Sequence, residues 1–172
     1  MLTEVSILPI QSVYSIDNHT ITAEVLNDEP LIVKFTNVLS DEECQALIKD
    51  AAARLQRSKL ANKEVSQIRT SSGMFFEENE SPLIHIIEKR VAKLMHLPLE
   101  NAEGLQVLHY EPGQEFKAHF DYFGPNHPSS SNNRISTLVM YLNDVEEGGA
   151  TTFPNLNLSN TPAKGSAVYF EY

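Results

Sequence analysis

An α+β fold is the class this sequence predicts, with helices packed on a sandwich or jelly roll. Three observations point to it. Signals for two helices are confined to the first 96 residues, strand-like runs fill the stretch from residue 105 onward, and turn-forming residues separate those runs. No internal repeat or long linker interrupts the 172 residues, so a single domain over 1–172 is expected, long enough to bury a real core.

The first 36 residues read as short strands: "ITAEVL" at 21–26 alternates in polarity, and "PLIVKF" at 30–35 is a short apolar run. A helix start follows. Ser40 and Glu43 have the spacing of a capping box, after which Cys44, Leu47, Ile48, Ala51 and Leu55 recur at helical intervals. Residues 62–80, "NKEVSQIRTSSGMFFEENE", show little periodicity and read as a long surface excursion. Segments of that length in compact domains tend to be functional or disordered. A second helix begins at Ser81, with Pro82 at its first position, and runs to about His96. Four strand-like runs come next: "LQVLHY" at 105–110, "RISTLVMYL" at 134–142, "TTF" at 151–153 and "SAVYFEY" at 166–172. Between them lie "EPGQ", "GPNHPSSSNN", "DVEEGG" and "SNTPAKG". The last run stops without a turn or a charged tail beyond Glu171. An exposed apolar edge strand invites unwanted pairing, so the sequence looks cut within a sheet.

Composition narrows the partners. A net charge of -10 and a pI near 5.0 make the surface repel nucleic acid and anionic membranes, so neither is expected as a partner. No window approaches 18 consecutive apolar residues, and the N-terminus lacks the basic region of a signal peptide. Cys44 is the single cysteine, which rules out an intramolecular disulfide or a cysteine cluster. A cytoplasmic setting is expected, with Cys44 a small buried hydrophobe in the first helix. The oligomeric state is left open.

The chemistry sits in "KAHFDYF" at 117–123. If the stretch is a strand, His119 and Asp121 project to one face and can meet at one centre. An imidazole nitrogen and a carboxylate oxygen suit Fe(II), which oxygenases hold with two histidines and one carboxylate, leaving positions open for a cosubstrate and O₂. Taken bare, the pair is weak. With six histidines and six aspartates in 172 residues, chance supplies about 0.2 such pairs, so two surface residues on a strand are the favoured reading of the pair alone.

Longer stretches change that balance. "LHYEPGQEFKAHFDYF", "NNRISTLVMYLNDVEEGGATTFP" and "KGSAVYFEY", together with "NVLSDEEC" at 37–44 and "IRTSSG" at 68–73, resemble the 2-oxoglutarate- and Fe(II)-dependent prolyl 4-hydroxylases, with small single-domain bacterial members most alike. The resemblance implies a double-stranded β-helix flanked by N-terminal helices. It implies hydroxylation of peptidyl proline at C4, with Fe(II) and 2-oxoglutarate as cofactors and ascorbate as reductant. By position it implies His119 and Asp121 as proximal metal ligands and Tyr110 and Thr151 as contacts to 2-oxoglutarate. Arg134 and Phe116 fall at the peptide groove, and 62–80 at a mobile loop over the peptide. Each has a plainer alternative: Tyr110 as a packed aromatic, Thr151 as a strand filler, Arg134 as one half of a structural ion pair. Two departures stand out: Ala150 replaces a common Glu, and Phe116 replaces a common Tyr.

The family's distal histidine and its cosubstrate lysine fall beyond the "YFEY" stretch, so the sequence is expected to be a jelly roll missing its last strands, inactive alone. Substitutes are poor. His109 alternates away from Tyr110, His127 lies in a flexible loop, and His19, His85 and His96 lie in the N-terminal half. Lys164 reads as a solvated turn residue. A truncated peptide-binding module without catalysis is the alternative function.

Overall fold

The computed structural model describes residues 6–57 and 68–172. In chain order it contains β1 (Val13–Ile16), β2 (His19–Asp28), β3 (Leu31–Thr36), α1 (Asp41–Ala52), β4 (Gln56–Arg57), β5 (Ser72–Phe75) and α2 (Pro82–Met95). There follow β6 (Gln106–His109), β7 (Ser136–Met140), β8 (Thr151–Phe153), β9 (Leu158–Asn160) and β10 (Ala167–Glu171). Antiparallel pairing builds a five-stranded sheet in the order β1-β2-β3-β10-β7, a three-stranded sheet β4-β5-β6 and a hairpin β8-β9. The architecture is mostly antiparallel sheet with two α-helices.

Both helices start where their sequence signals place them. Ser40 accepts from the Glu43 amide while the Glu43 carboxylate accepts from the Ser40 amide, closing the capping box of α1. The Ser81 hydroxyl caps α2 by accepting from the Ile84 amide, with Pro82 in the first turn, where the missing N–H is no loss. His96 ends α2 in the left-handed conformation, so the helix stops at the predicted place.

The central strands β3 and β10 are buried on both faces, and alternation sorts their side chains into two cores. Val33, Phe35, Ala167 and Tyr169 face the helices and join Cys44, Leu47, Ile84, Ile87 and Leu94 in the larger core. Ile32, Val168, Val139, Tyr141 and Phe170 face the other way, into a smaller core with Phe153 and Leu158 of the β8-β9 hairpin. Burial of two faces explains why Leu31, Ile32 and Val33 are apolar in succession. Cys44 is fully buried in α1, as expected, and burial pushes its thiol up from its ordinary value.

Three expectations need correction. The final strand is no edge: β10 lies between β3 and β7, with Val168 opposite Lys34 on one side and Val139 on the other. A run apolar on both faces is what a central strand requires, so its lack of gatekeepers is explained by its neighbours. Second, part of 62–80 is regular. Its residues 62–67 lie outside the described residues, but β5 pairs with both β4 and β6, and Met74 and Phe76 are buried in the larger core. Sequence periodicity missed it because four residues are too few for a pattern. Third, "KAHFDYF" is not a strand. The stretch is irregular; the nearest sheet-like pairing is a single bridge between Arg69 and Phe116, the residue just before it.

Candidate active site

Residues 115–117 are pinned to 68–70 by backbone pairing: the Thr70 amide donates to the Glu115 carbonyl at 2.9 Å and the Lys117 amide to the Ile68 carbonyl at 2.9 Å. Beyond that anchor the chain turns so that His119 and Asp121 converge without a ladder. Nε2 of His119 lies 2.9 Å from Oδ1 of Asp121, and Nδ1 lies 2.7 Å from the Lys117 carbonyl. The convergence expected from strand geometry is thus reached by an irregular loop.

Each partner is held from a second direction. Phe116 stacks on the His119 ring, with centroids 3.6 Å apart and planes 19° off parallel. The Arg69 guanidinium lies over the same Phe116 ring at 4.8 Å. The second carboxylate oxygen of Asp121 accepts from the Thr137 hydroxyl at 2.9 Å and from the Tyr172 hydroxyl at 3.3 Å. Arg134 donates to the Asp121 carbonyl at 3.1 Å, pairs with Glu103 at 2.8 Å and covers the Phe123 ring at 4.7 Å.

The electrostatics follow. The hydrogen bond to Asp121 lifts the His119 imidazole above its ordinary value, outweighing the partial burial that lowers it. Burial pushes Asp121 up, but hydrogen bonds from His119 and Thr137 and the charges of His119 and Arg134 hold it below the usual carboxylate range. Burial lowers Arg69, against the pull of Tyr110 and Asp121, and its Nε is buried without a hydrogen-bond partner.

The remaining expected residues are placed as follows. Tyr110 follows β6 directly and is exposed, close enough to Arg69 to act on its charge. The Thr151 hydroxyl is 2.7 Å from that of Tyr141, which also accepts from Asn160 at 3.1 Å. Thr137, Val139 and Tyr141 alternate onto one face of the sheet, so Thr151 lies on the same side as the anchor of Asp121. Arg134 forms the structural ion pair held open above. Sequence reasoning missed Thr137, Tyr172 and Glu103, and noticed Arg69 only as part of "IRTSSG". None carries a local signal; pairing and packing bring them in.

The other histidines are engaged elsewhere. His19 binds the Asn37 carbonyl, His85 binds Asn79, His127 stacks on Phe123, His96 ends α2 and His109 pairs with Ser72 in the sheet. Lys164 pairs with Asp41 at 3.2 Å. Among the described residues no group of three His, Cys, Asp or Glu side chains is placed to hold a metal ion.

Comparison with known proteins bears on the family and the fold. The sequence pattern of the 2OG-Fe(II) oxygenase superfamily matches residues 105–172. The chain is 43% identical over 147 residues to probable prolyl 4-hydroxylase 3 of Arabidopsis thaliana, covering 81% of this chain and 51% of that relative. It is 40% identical over 147 residues to prolyl 4-hydroxylase 5 of the same plant, covering 81% and 50%. The chain therefore spans about half the length of the curated relatives it matches. Among solved structures, the viral collagen prolyl hydroxylase of Paramecium bursaria Chlorella virus-1, in its 2OG complex, superposes with a TM-score of 0.64 at 30% identity, over 81% of this chain and 77% of that one. A Pseudomonas putida prolyl-4-hydroxylase superposes with a TM-score of 0.56 over 90% and 81%; at 16% identity it speaks for the fold alone. With a superfamily match over residues 105–172 and the viral enzyme 30% identical and covered over 77% of its length, the chain belongs to the prolyl 4-hydroxylase family of 2-oxoglutarate- and Fe(II)-dependent oxygenases.

Proposed function

We propose that His119 and Asp121 are the proximal protein ligands to Fe(II) in a 2-oxoglutarate-dependent hydroxylase acting on C4 of peptidyl proline. Fe(II) and 2-oxoglutarate are the cofactor and cosubstrate of the family, and ascorbate is typical of it. The observation that carries the reading is the 2.9 Å approach of imidazole and carboxylate. Both ring nitrogens of His119 face oxygen acceptors, an arrangement satisfied only when a cation sits at Nε2, either a proton or a metal ion. One imidazole nitrogen and one carboxylate oxygen fit Fe(II).

When bound, Fe(II) with 2-oxoglutarate supplies the oxidation; the protein supplies binding and orientation. The Lys117 carbonyl accepts a hydrogen bond from Nδ1–H and leaves Nε2 as the ligating atom. Phe116 fixes the plane of the ring, and Arg134 holds the main chain at Asp121. Tyr110 is assigned to hold 2-oxoglutarate and Thr151 to line its pocket. Arg134 and Phe116 border a proline-containing peptide bound in extended form. The antiparallel sheets then form part of a jelly roll. Because only two candidate ligands converge among the described residues, the 172-residue chain by itself is expected to be a poor catalyst. The same observation favours a second reading, a peptide-binding module without turnover.

Binding and turnover separate these readings. Mn(II), a redox-quiet substitute for Fe(II), is expected to bind the wild-type chain and to be lost in His119→Ala. Equal binding by both proteins would overturn the ligand assignment. With Fe(II), ascorbate, 2-oxoglutarate and a proline-rich peptide, little succinate is expected. Robust peptide-coupled succinate release would overturn the two-ligand account, and tight peptide binding without it supports the module.

A further inference from the structure

We infer that Thr137 and Tyr172 are positioning residues for Asp121: their hydroxyls hold Oδ2 and thereby leave Oδ1 as the oxygen offered to the metal. This rests on the reading of Asp121 as an iron ligand. Asp121 lies in an irregular segment where no strand ladder restrains it, so its side chain needs an anchor from elsewhere. Thr137 supplies one from a rigid element. It stands in β7 opposite Phe170 of β10, and its branched Cβ restricts the side chain at χ1. Its hydroxyl donates to Oδ2 at 2.9 Å. The Tyr172 hydroxyl lies 3.3 Å from the same oxygen and also touches the Thr137 hydroxyl. The Tyr172 ring is braced against Phe170, with centroids 6.0 Å apart, and Tyr122, at 6.2 Å.

The two carboxylate oxygens therefore have unlike surroundings. Oδ1 faces the His119 ring nitrogen, whereas Oδ2 faces two hydroxyls on the other side. Hydrogen bonds to a carboxylate are charge-assisted and stronger than neutral ones, so rotation about the Cβ–Cγ bond is opposed. With the Asp121 carbonyl tied to Arg134, the residue is held at both ends. Held this way, the carboxylate would offer a metal one oxygen, Oδ1, while Oδ2 stays with the two hydroxyls.

The test is the Mn(II) dissociation constant, read from the free-ion EPR signal. Thr137→Val keeps the shape and removes the hydroxyl; it is expected to weaken binding about tenfold, the low end of what outer-shell changes cost. Thr137→Ser restores the hydroxyl and is expected to bind within about twofold of wild type, and Tyr172→Phe to lose about threefold. Wild-type affinity in Thr137→Val would overturn the inference while leaving Asp121 a ligand. Equal losses in the Val and Ser variants would also overturn it, because packing rather than the hydroxyl would then be responsible. Should Thr137→Val not fold, as judged by its thermal melt, unchanged affinity in Tyr172→Phe overturns it. Wild-type binding that does not depend on His119 would instead remove the underlying assignment, and the inference with it.

Discussion

Phe116 is the residue whose role the structure enlarges most. It was expected at the peptide groove, yet its ring meets both the His119 imidazole, on which it stacks, and the Arg69 guanidinium. The ring has no hydroxyl to lose, so its contribution to the site is orientation. Phe116→Ala is expected to free the His119 ring and weaken Mn(II) binding by roughly tenfold, the low end of outer-shell effects. An EPR titration checks this, and unchanged affinity would show that the Lys117 carbonyl alone is enough to orient the imidazole. Arg134 illustrates the opposite case: sequence placed it evenly between ion pair and substrate contact. Its bonds to Glu103 and to the Asp121 carbonyl now give it a structural duty, whatever else it touches.

At the scale of elements, the connections carry as much information as the strands. Gly165 joins the end of β7, the start of β10 and the turn into α1. Its amide donates to the Tyr141 carbonyl at 2.8 Å, and its carbonyl accepts from the Val38 and Leu39 amides at 2.8 and 3.1 Å. Its φ is +77°, and a Cβ there would meet the Leu39 carbonyl oxygen at 2.5 Å. Gly165→Ala therefore combines left-handed strain with a backbone clash and is expected to cost at least about 2 kcal/mol, measured by chemical denaturation. A melt unchanged from wild type would mean that the turn adjusts freely. A smaller loss, about 1 kcal/mol, is expected from Ser40→Ala, which opens the capping box of α1. These two sites differ in how plainly they show in the sequence. The Ser40–Glu43 spacing is a local pattern and was legible. The demand on Gly165 comes from Leu39, 126 positions away in the chain, and "PAKG" reveals only that a turn occurs.

Across the whole molecule, one buried cation ties distant segments together. Arg90 of α2 is almost fully buried and binds Glu43 of α1 through two contacts of 2.6 and 2.7 Å. It also donates to the Val38 carbonyl at 3.0 Å and approaches Asp17, in the turn between β1 and β2, at 3.6 Å. Burial pushes Glu43 up, but the bonds from Arg90 and the Ser40 amide outweigh it and hold the carboxyl below its usual range. A carboxylate with a lowered folded value stabilises the protein above its unfolded value, near 4.5, and loses that stabilisation as pH falls through the folded value. Melts of Glu43→Gln and wild type are therefore expected to converge as pH falls below about 4.5 and to differ most at neutral pH. A gap that grows on acidification would contradict this. Arg90→Ala leaves Glu43 without its partner and is expected to cost about 3–5 kcal/mol.

What the sequence by itself determined were the features written in neighbouring residues. Both helix starts, the strand-rich second half, the paired His119 and Asp121 and the acidic surface all rest on short-range spacing or composition, where the physical cause lies within a few residues. The tertiary structure alone decided what depends on partners far along the chain. It made the final strand central rather than an edge, because β3 and β7 close on either side of it. It brought Thr137 and Tyr172 to the far oxygen of Asp121, and Arg69 to the Phe116 ring that stacks on His119. A hydrogen bond or a stacked ring acts over a few ångströms and takes no account of sequence separation, so residues that orient a site become visible only once the chain is folded.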